Sequence, residues 1–147
     1  MSLTNASETA LLNLMFANEN FANVGDATGL RGSSTAGSFY ISLHQSSPGE
    51  AAAGGQQENE ADYTGYARVA VARTSGAWTV SGNSVVNASS IAFGACISGS
   101  NTITHFGIGT SSSGAGSLLF FGSIGSLAVS AGITPAFAPG AMTITAD

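Results

Sequence analysis

Few side chains in this sequence could do chemistry, and the two histidines and the single cysteine are the first to consider. His44, Cys96 and His105 lie on or near predicted strands, so a metal site built from them is conceivable. No pair of them has the spacing of a zinc finger. A lone cysteine is typically a small buried apolar residue, and a single cysteine forms no disulfide within the chain. We therefore expect neither a metal site nor a reactive thiol.

The many serines do not form a recognisable nucleophilic site. The nucleophile-elbow pattern G-x-S-x-G is absent. A Ser-His-Asp triad needs an acid beside the histidine, but the acids lie mostly in the N-terminal region and in the polar segment from Ser46 to Asp62. Gly107-x-Gly109 lacks the third glycine and the following helix of a dinucleotide fingerprint. The sequence predicts no enzyme, no catalytic residue and no cofactor.

Two further groups of residues could bind ligands, one acidic and one aromatic. The acids offer the oxygen ligands that Ca²⁺ prefers, but their spacing is not that of an EF-hand. We interpret them as part of a solvated loop. The aromatic residues could stack on a carbohydrate, as in sandwich lectins, although core packing explains them equally well. The two groups are Glu50, Glu58, Glu60 and Asp62, and Tyr63, Tyr66 and Trp78.

The low charge of the chain excludes two classes of partner. Only 7% of the residues are charged, against about a quarter in an ordinary soluble domain. The basic residues are Arg31, Arg68 and Arg73, and the formal net charge is -5. Nucleic acids and anionic membranes attract basic surfaces, and this chain has no basic stripe. Because 44% of the residues are hydrophobic, we expect the chain to fold. A folded protein with so few surface charges tends to self-associate, which favours a role in which partners cover it in a large assembly.

The first residues predict a helix. Asn5 and Glu8 have the spacing of a capping box, apolar residues follow at helical spacing, and polar turn-formers end the pattern at residues 18–20. We predict an N-terminal helix or arm at residues 1–20. A single β-sandwich domain follows at residues 21–147, with a mobile loop at about residues 46–62.

The apolar arc of this helix predicts an interface. It is wider than the edge of one small sandwich needs, and a helix at a chain end can reach a neighbouring subunit. The alternative is a helix that only caps the core of its own domain. The predicted interface residues are Leu11, Leu12, Leu14, Met15 and Phe16.

The rest of the chain predicts β-structure. Phe39, Ile41 and Leu43 alternate with polar residues, which is typical of a half-buried strand. Short apolar segments separated by Gly/Ser turns then follow at intervals typical of sandwiches. We predict an all-β, antiparallel, jelly-roll-like β-sandwich with one short N-terminal α-helix. The further strands are Tyr66–Arg73, Trp78–Ser81, Val85–Phe93, Thr102–Ile108, Leu118–Ile124, Leu127–Val129 and Met142–Thr145.

Residues 105–124, HFGIGTSSSGAGSLLFFGSI, contain no charged residue. Two apolar strands flank a loop of small residues, which predicts an antiparallel hairpin. The glycines Gly107, Gly109 and Gly122 indicate bulges or close packing. Such a strand pair packs on another protein without the cost of desolvating charges.

Five segments carry a resemblance to a known family: MSLTNASETALLNLMF, FYISLHQSSPGEA, YARVAV, ITHFGIGTSSSGAGSLLFFGSI and FAPGAMTITAD. In this order they resemble small tailed-phage virion proteins that are usually labelled tail fibre-like. The resemblance spans nearly the whole chain. The chain departs from the family between Phe21 and Ser38, where it has an inserted Gly/Ser/Thr-rich loop, and it has fewer charges.

The resemblance implies a non-enzymatic virion structural protein. Jelly rolls of similar size also serve as capsid cement. This chain lacks the coiled-coil heptads or β-helix repeats of a fibre shaft and any evident receptor-binding second domain. We therefore rank capsid decoration first, with the major capsid protein and copies of the chain itself, as a dimer or trimer, as partners. The alternative is a tail fibre or tail-tip component that contacts host-surface glycan.

Overall fold

The structure is a computed structural model that describes residues 2–51 and 53–146. It divides into two compact units. The first, which we call the helix unit, comprises Met1–Ser38, Ala72–Ile91 and Phe137–Asp147 as far as these are described. The second, the hairpin unit, comprises Phe39–Val71 and Ala92–Ala136. The predicted boundaries at residues 1–20 and 21–147 stay a prediction.

The N-terminal helix has a threonine cap. Helix α1 spans Asn5–Leu12 and continues as a π-helical turn over Asn13–Ala17. The cap is Thr4, whose extended backbone lets its hydroxyl accept from the Ser7 N–H. The predicted Asn5 cap is therefore wrong, because Asn5 is already helical. The helix ends as predicted at Asn18, which adopts the left-handed conformation with φ 58°.

The helix unit contains a three-stranded antiparallel sheet. Its strands are β3 (Trp78–Ser81), β4 (Ser84–Asn87) and β9 (Thr143–Thr145), in the order β3-β4-β9. The rings of Phe16 and Trp78 meet edge to face at 4.9 Å between centroids, so the helical segment packs on this sheet. The buried apolar side chains of the unit include Leu12, Phe16, Trp78, Val85, Met142 and Ile144.

A four-stranded sheet lies in the hairpin unit, apart from its end residues Ser38 and Ala72. Its strands are β1 (Ser38–His44), β2 (Val69–Ala72), β6 (Ser100–Gly109) and β7 (Leu118–Ser130), in the order β2-β1-β6-β7. The predicted hairpin is confirmed, because β6 and β7 pair antiparallel across the Gly/Ser loop. The remaining strands, β5 (Ile91–Ala92) and β8 (Ala136–Phe137), form a two-stranded sheet.

Strand β1 is buried on both faces, whereas its alternation predicted burial of one. Phe39, Ile41 and Leu43 are buried as expected. Ser42 and His44 point to the opposite face and are fully buried as well. The polar segment covers that face, because Gln56 in the 3₁₀ turn Gly55–Gln57 is also fully buried and its side chain donates to Ser42 Oγ. The alternation of residues in β1 does not reveal that a distant polar segment covers its second face.

The fold class is confirmed. The structure is mostly antiparallel β-sheet with one short N-terminal α-helix, consistent with the predicted all-β sandwich. Several strands differ in their ends: β2 is shorter than predicted, and β7 runs through both Leu118–Ile124 and Leu127–Val129. Within the described residues, no helix is long and apolar enough to cross a membrane.

Candidate assembly surface

The two histidines lie on paired strands, and the cysteine is buried. His44 and His105 lie opposite each other on β1 and β6, while the Cys96 thiol is buried beside the carbonyls of Ser98 and Gly99. In the described part of the chain, no three His, Cys, Asp or Glu residues come together as a metal site.

His44 belongs to a buried hydrogen-bonded chain. Its Nδ1 lies 2.7 Å from the Glu58 carbonyl oxygen, so this nitrogen donates, and its Nε2 accepts from Ser42 Oγ at 2.8 Å. Ser42 Oγ in turn accepts from the Gln56 amide. Burial lowers the pKa of His44, and this outweighs the carbonyl of Glu58 and the charge of Glu60, which raise it. The chain of donors and acceptors is complete with a neutral imidazole.

One acid of the polar segment is the partner of a buried arginine. Arg68 donates through Nε and Nη2 to the two carboxylate oxygens of Glu60, each at 2.7 Å. The Arg68 side chain is 2% exposed and that of Glu60 is 15% exposed. The interpretation of the four acids as a solvated loop is therefore wrong for Glu60. Mobility of residues 46–62 stays a prediction.

Arg68 also holds the hairpin loop. Its Nη1 donates to the Ser111 carbonyl at 2.8 Å and its Nη2 donates to the Gly114 carbonyl at 2.7 Å. Nη1 reaches Gln56 Oε1 as well. One buried guanidinium thus joins strand β2, the polar segment and the loop between β6 and β7.

Two of the three aromatic residues that were considered for carbohydrate stacking are buried. Trp78 is 1% exposed in the helix unit, and Tyr63 is 3% exposed in the hairpin unit. The Tyr66 ring contacts those of Tyr63 and Phe93. Its hydroxyl donates to Glu60 Oε1 and accepts from the Leu43 N–H. Core packing, the other interpretation, accounts for these three rings.

The five helix residues of the predicted interface fall into two groups. Leu12 and Phe16 are at most 2% exposed and belong to the core of the helix unit. Leu11, Leu14 and Met15 are half-buried, so they keep surface that a partner could cover. An interface at these three residues stays a prediction.

The helical segment is fixed to its own unit by polar contacts. Arg73 donates through Nη2 to the Leu14 carbonyl at 2.8 Å and through Nε to the Met15 carbonyl. A cation at this position complements the unpaired carbonyls at a helix C-terminus. The Thr9 hydroxyl also donates to the Gly82 carbonyl at 2.7 Å.

The β6–β7 hairpin presents an uncharged surface. From Thr74 to Ala146 the sequence has no Asp, Glu, Lys or Arg. The strands are packed closely at glycines, as predicted: a Cβ on Gly122 would lie 2.8 Å from the Phe106 ring, and one on Gly107 would lie 2.7 Å from Ser42 Oγ.

Two irregularities interrupt the hairpin. Ile108 pairs with Phe120 and Gly109 with Leu118, so Leu119 is the extra residue of a bulge. Ile103 pairs with Leu127 while His105 pairs with Ser123, which leaves residues 124–126 opposite Thr104. Bulges of this kind bend a strand and re-aim its side chains.

Sequence reasoning missed the role of Arg68. A usable signal was present, because Arg68 is one of three basic residues in the chain and directly precedes an alternating strand. An arginine at such a position is rarely buried without a carboxylate partner, and the nearest acids lie in the polar segment. The pairing with Glu60 could have been proposed, but not the contacts with loop carbonyls.

A comparison with protein-family models identifies a family for this chain. No curated protein matches the chain. A family model described as "Podophage GP4 fiber I protein gp80" matches residues 2–145, nearly the whole chain. Such a family is one of phage structural proteins of the virion. The chain therefore belongs to the podophage GP4 fiber I protein gp80 family.

Proposed function

We propose that this chain is a non-enzymatic structural subunit of a phage fibre. The observation that carries the proposal is the family match over residues 2–145, whose description names a fibre protein. The sequence alone led us to rank capsid decoration first and a tail fibre second, and the proposal reverses that ranking. The absence of shaft repeats argues against a long coiled coil or β-helix, whereas a fibre can also contain compact β units.

The distribution of charge supports a role inside an assembly. The charged residues up to Arg73 include all three arginines and seven of the eight acids, and the eighth acid is Asp147. The long uncharged part between them can be covered by other proteins without the several kcal/mol that each buried, unpaired ion costs. Binding then rests on apolar burial and backbone hydrogen bonds.

The Arg68 cluster supports a rigid subunit. In a rigid subunit, the surfaces that contact neighbouring subunits keep fixed positions. The guanidinium holds two carbonyls of the hairpin loop and the carboxylate of Glu60 at 2.7–2.8 Å. Charge-assisted, bidentate contacts of this kind are short and directional, so they fix the loop relative to the sheet.

The proposed partners are copies of the chain itself and other virion proteins. The half-buried helix residues Leu11, Leu14 and Met15 are the proposed contact on the helix unit. In a fibre this surface would face a neighbouring subunit. In the competing role, capsid decoration, it would face the major capsid protein.

Copy number per particle tests the proposal. Purified virions would be digested, and peptides of this chain and of the major capsid protein would be counted against isotope-labelled standards. A fibre subunit is expected in a small number of copies relative to the capsid protein. A count in the hundreds, comparable with the capsid protein, would reject the fibre role in favour of capsid decoration.

A further inference from the structure

Strand β7 is an unusual edge. In the sheet of the described residues it is the terminal strand, paired on one side with β6. It has 13 residues, LLFFGSIGSLAVS, without a charge or a proline. Natural proteins usually protect an exposed edge with charges, prolines or short length. The opposite edge, β2, fits that rule, because it has four residues and is flanked by Arg68 and Arg73.

Exposed apolar side chains lie along β7 and beyond its C-terminal end. Leu119 and Leu127 on the strand are 40% and 37% exposed. Ile133 follows shortly after the strand and is 42% exposed. The Ile133 carbonyl accepts from the Cys96 N–H, which places it beside Ile97, which is 71% exposed. These four residues are all the exposed large hydrophobic side chains of the described hairpin unit.

We infer that β7 pairs antiparallel with β7 of a second copy of this chain, about a two-fold axis. The contact would be isologous, so each copy supplies the same strand. Backbone hydrogen bonds between the two edges provide the affinity, as in other strand additions, and the exposed leucines and isoleucines add apolar burial. The inference goes beyond the fibre role and does not depend on where the chain lies on the virion.

Strand length favours a second β7 over the other available edge. If β7 joined β2 of another copy, four residues would face 13, and most of β7 would stay unpaired. Two β7 strands match each other in length. The pairing also limits the assembly to two copies. It uses the long β7 edge of both copies, and the edges that remain are the short β2 strands, so the sheet does not grow further.

Charge favours a second copy over an unrelated partner. A two-fold axis brings residues near it opposite their own copies, so any charge there meets a like charge, which destabilises the pair. Strand β7 has no charge to repel its own copy, although each chain carries a net charge of -5. A partner of opposite charge would find nothing on this edge to recognise.

The bulges define where the strands can pair. Regular stretches remain at residues 120–123 and 127–130, on either side of the interruption at residues 124–126. We expect backbone pairing in one or both of these stretches. The interruption also limits slippage, because a shifted register would bring a bulge into the paired region.

Sedimentation equilibrium of the purified full-length chain tests the pairing. The wild-type chain is expected to dimerise, and the double variant Leu119→Lys/Leu127→Lys is expected to raise the dimer dissociation constant at least about tenfold. The control is Leu30→Lys, which places a single lysine on a side chain that is 48% exposed in the helix unit. A monomeric wild type, or a loss of dimer equal in Leu30→Lys, would overturn the inference.

Disulfide mapping gives the geometry. Single variants Leu119→Cys, Ser123→Cys and Leu127→Cys would be oxidised and run on non-reducing gels, with Leu30→Cys as control. Directly opposed antiparallel residues have Cα atoms about 4.5–5.5 Å apart, within disulfide range. Cross-linking concentrated at the position nearest the two-fold axis supports the pairing. Equal cross-linking at all four positions, or none on β7, would overturn it, whatever the copy number on the virion.

Discussion

The guanidinium of Arg68 and the carboxylate of Glu60 form two parallel hydrogen bonds of 2.7 Å each. The arginine side chain is almost completely buried, and its remaining N–H groups reach Gln56 and the hairpin loop. This pair therefore connects the segment with the most acids to a loop that has no charge at all.

Replacing Arg68 with methionine should lower the free energy of unfolding by about 3–5 kcal/mol, because the mostly buried Glu60 then loses its charged partner. Urea unfolding followed by circular dichroism measures the change. Arg31→Met is the matched control, since Arg31 is exposed, and its expected effect is within about 0.5 kcal/mol. The double variant Arg68→Met/Glu60→Gln should recover part of the loss. Equal effects at Arg31 and Arg68 would contradict this role.

Stability should fall as the pH drops through 6.5, the ordinary pKa of histidine. Burial lowers the pKa of His44 in the folded chain, so below about pH 6.5 the unfolded chain binds a proton that the folded chain does not. The loss from this residue is at most about 1.4 kcal/mol per pH unit. It continues until the folded-state pKa is reached.

Unfolding measured between about pH 7.5 and 5.5 tests this dependence. His44→Gln should remove the part of the slope that His44 contributes, whereas His105→Gln should retain it. If wild type and His44→Gln have the same slope over this range, the buried imidazole does not titrate as described.

The stability of the helix unit should depend on Phe16. Phe16→Ala removes a fully buried ring that meets Trp78, which costs about 3–5 kcal/mol. Trp78 is the single tryptophan of the chain, so its fluorescence reports the loss locally as a red shift. Met15→Ala, at the half-buried neighbouring position, is the control and should leave the emission near that of the wild type. A normal emission maximum in Phe16→Ala would show that the contact is dispensable.

Gly122→Ala should destabilise the hairpin. The new Cβ would lie 2.8 Å from the Phe106 ring, and overpacking of this kind costs about 1–3 kcal/mol. Gly76→Ala is the matched control, because the nearest atom to its Cβ would be 4.0 Å away. That variant should be neutral or slightly stabilising. Thermal unfolding of both variants distinguishes them, and an unchanged melting temperature for Gly122→Ala would refute close packing at this glycine.

Sequence reasoning succeeded where the pattern is local. Alternation identified β1, and small residues between two apolar runs identified the β6–β7 hairpin with its loop. Both features depend on neighbours in the chain, so they are visible without the fold.

Sequence reasoning failed where the cause is tertiary. Burial of both faces of β1 depends on Gln56, which is far away in the sequence. The helix interface was predicted from an apolar arc at a chain end, but two residues of that arc, Leu12 and Phe16, fill the core of their own unit. The edge position of β7 depends on strand order, which the hydrophobic pattern does not encode.

The most direct test of the fibre role is the position of the chain on the virion. Intact particles would be labelled with a gold-conjugated antibody against the purified chain and viewed by negative-stain electron microscopy. Our account predicts gold at the tail end of the particle, on fibres, with an unlabelled capsid surface. Gold distributed over the capsid, with none at the tail, would contradict it.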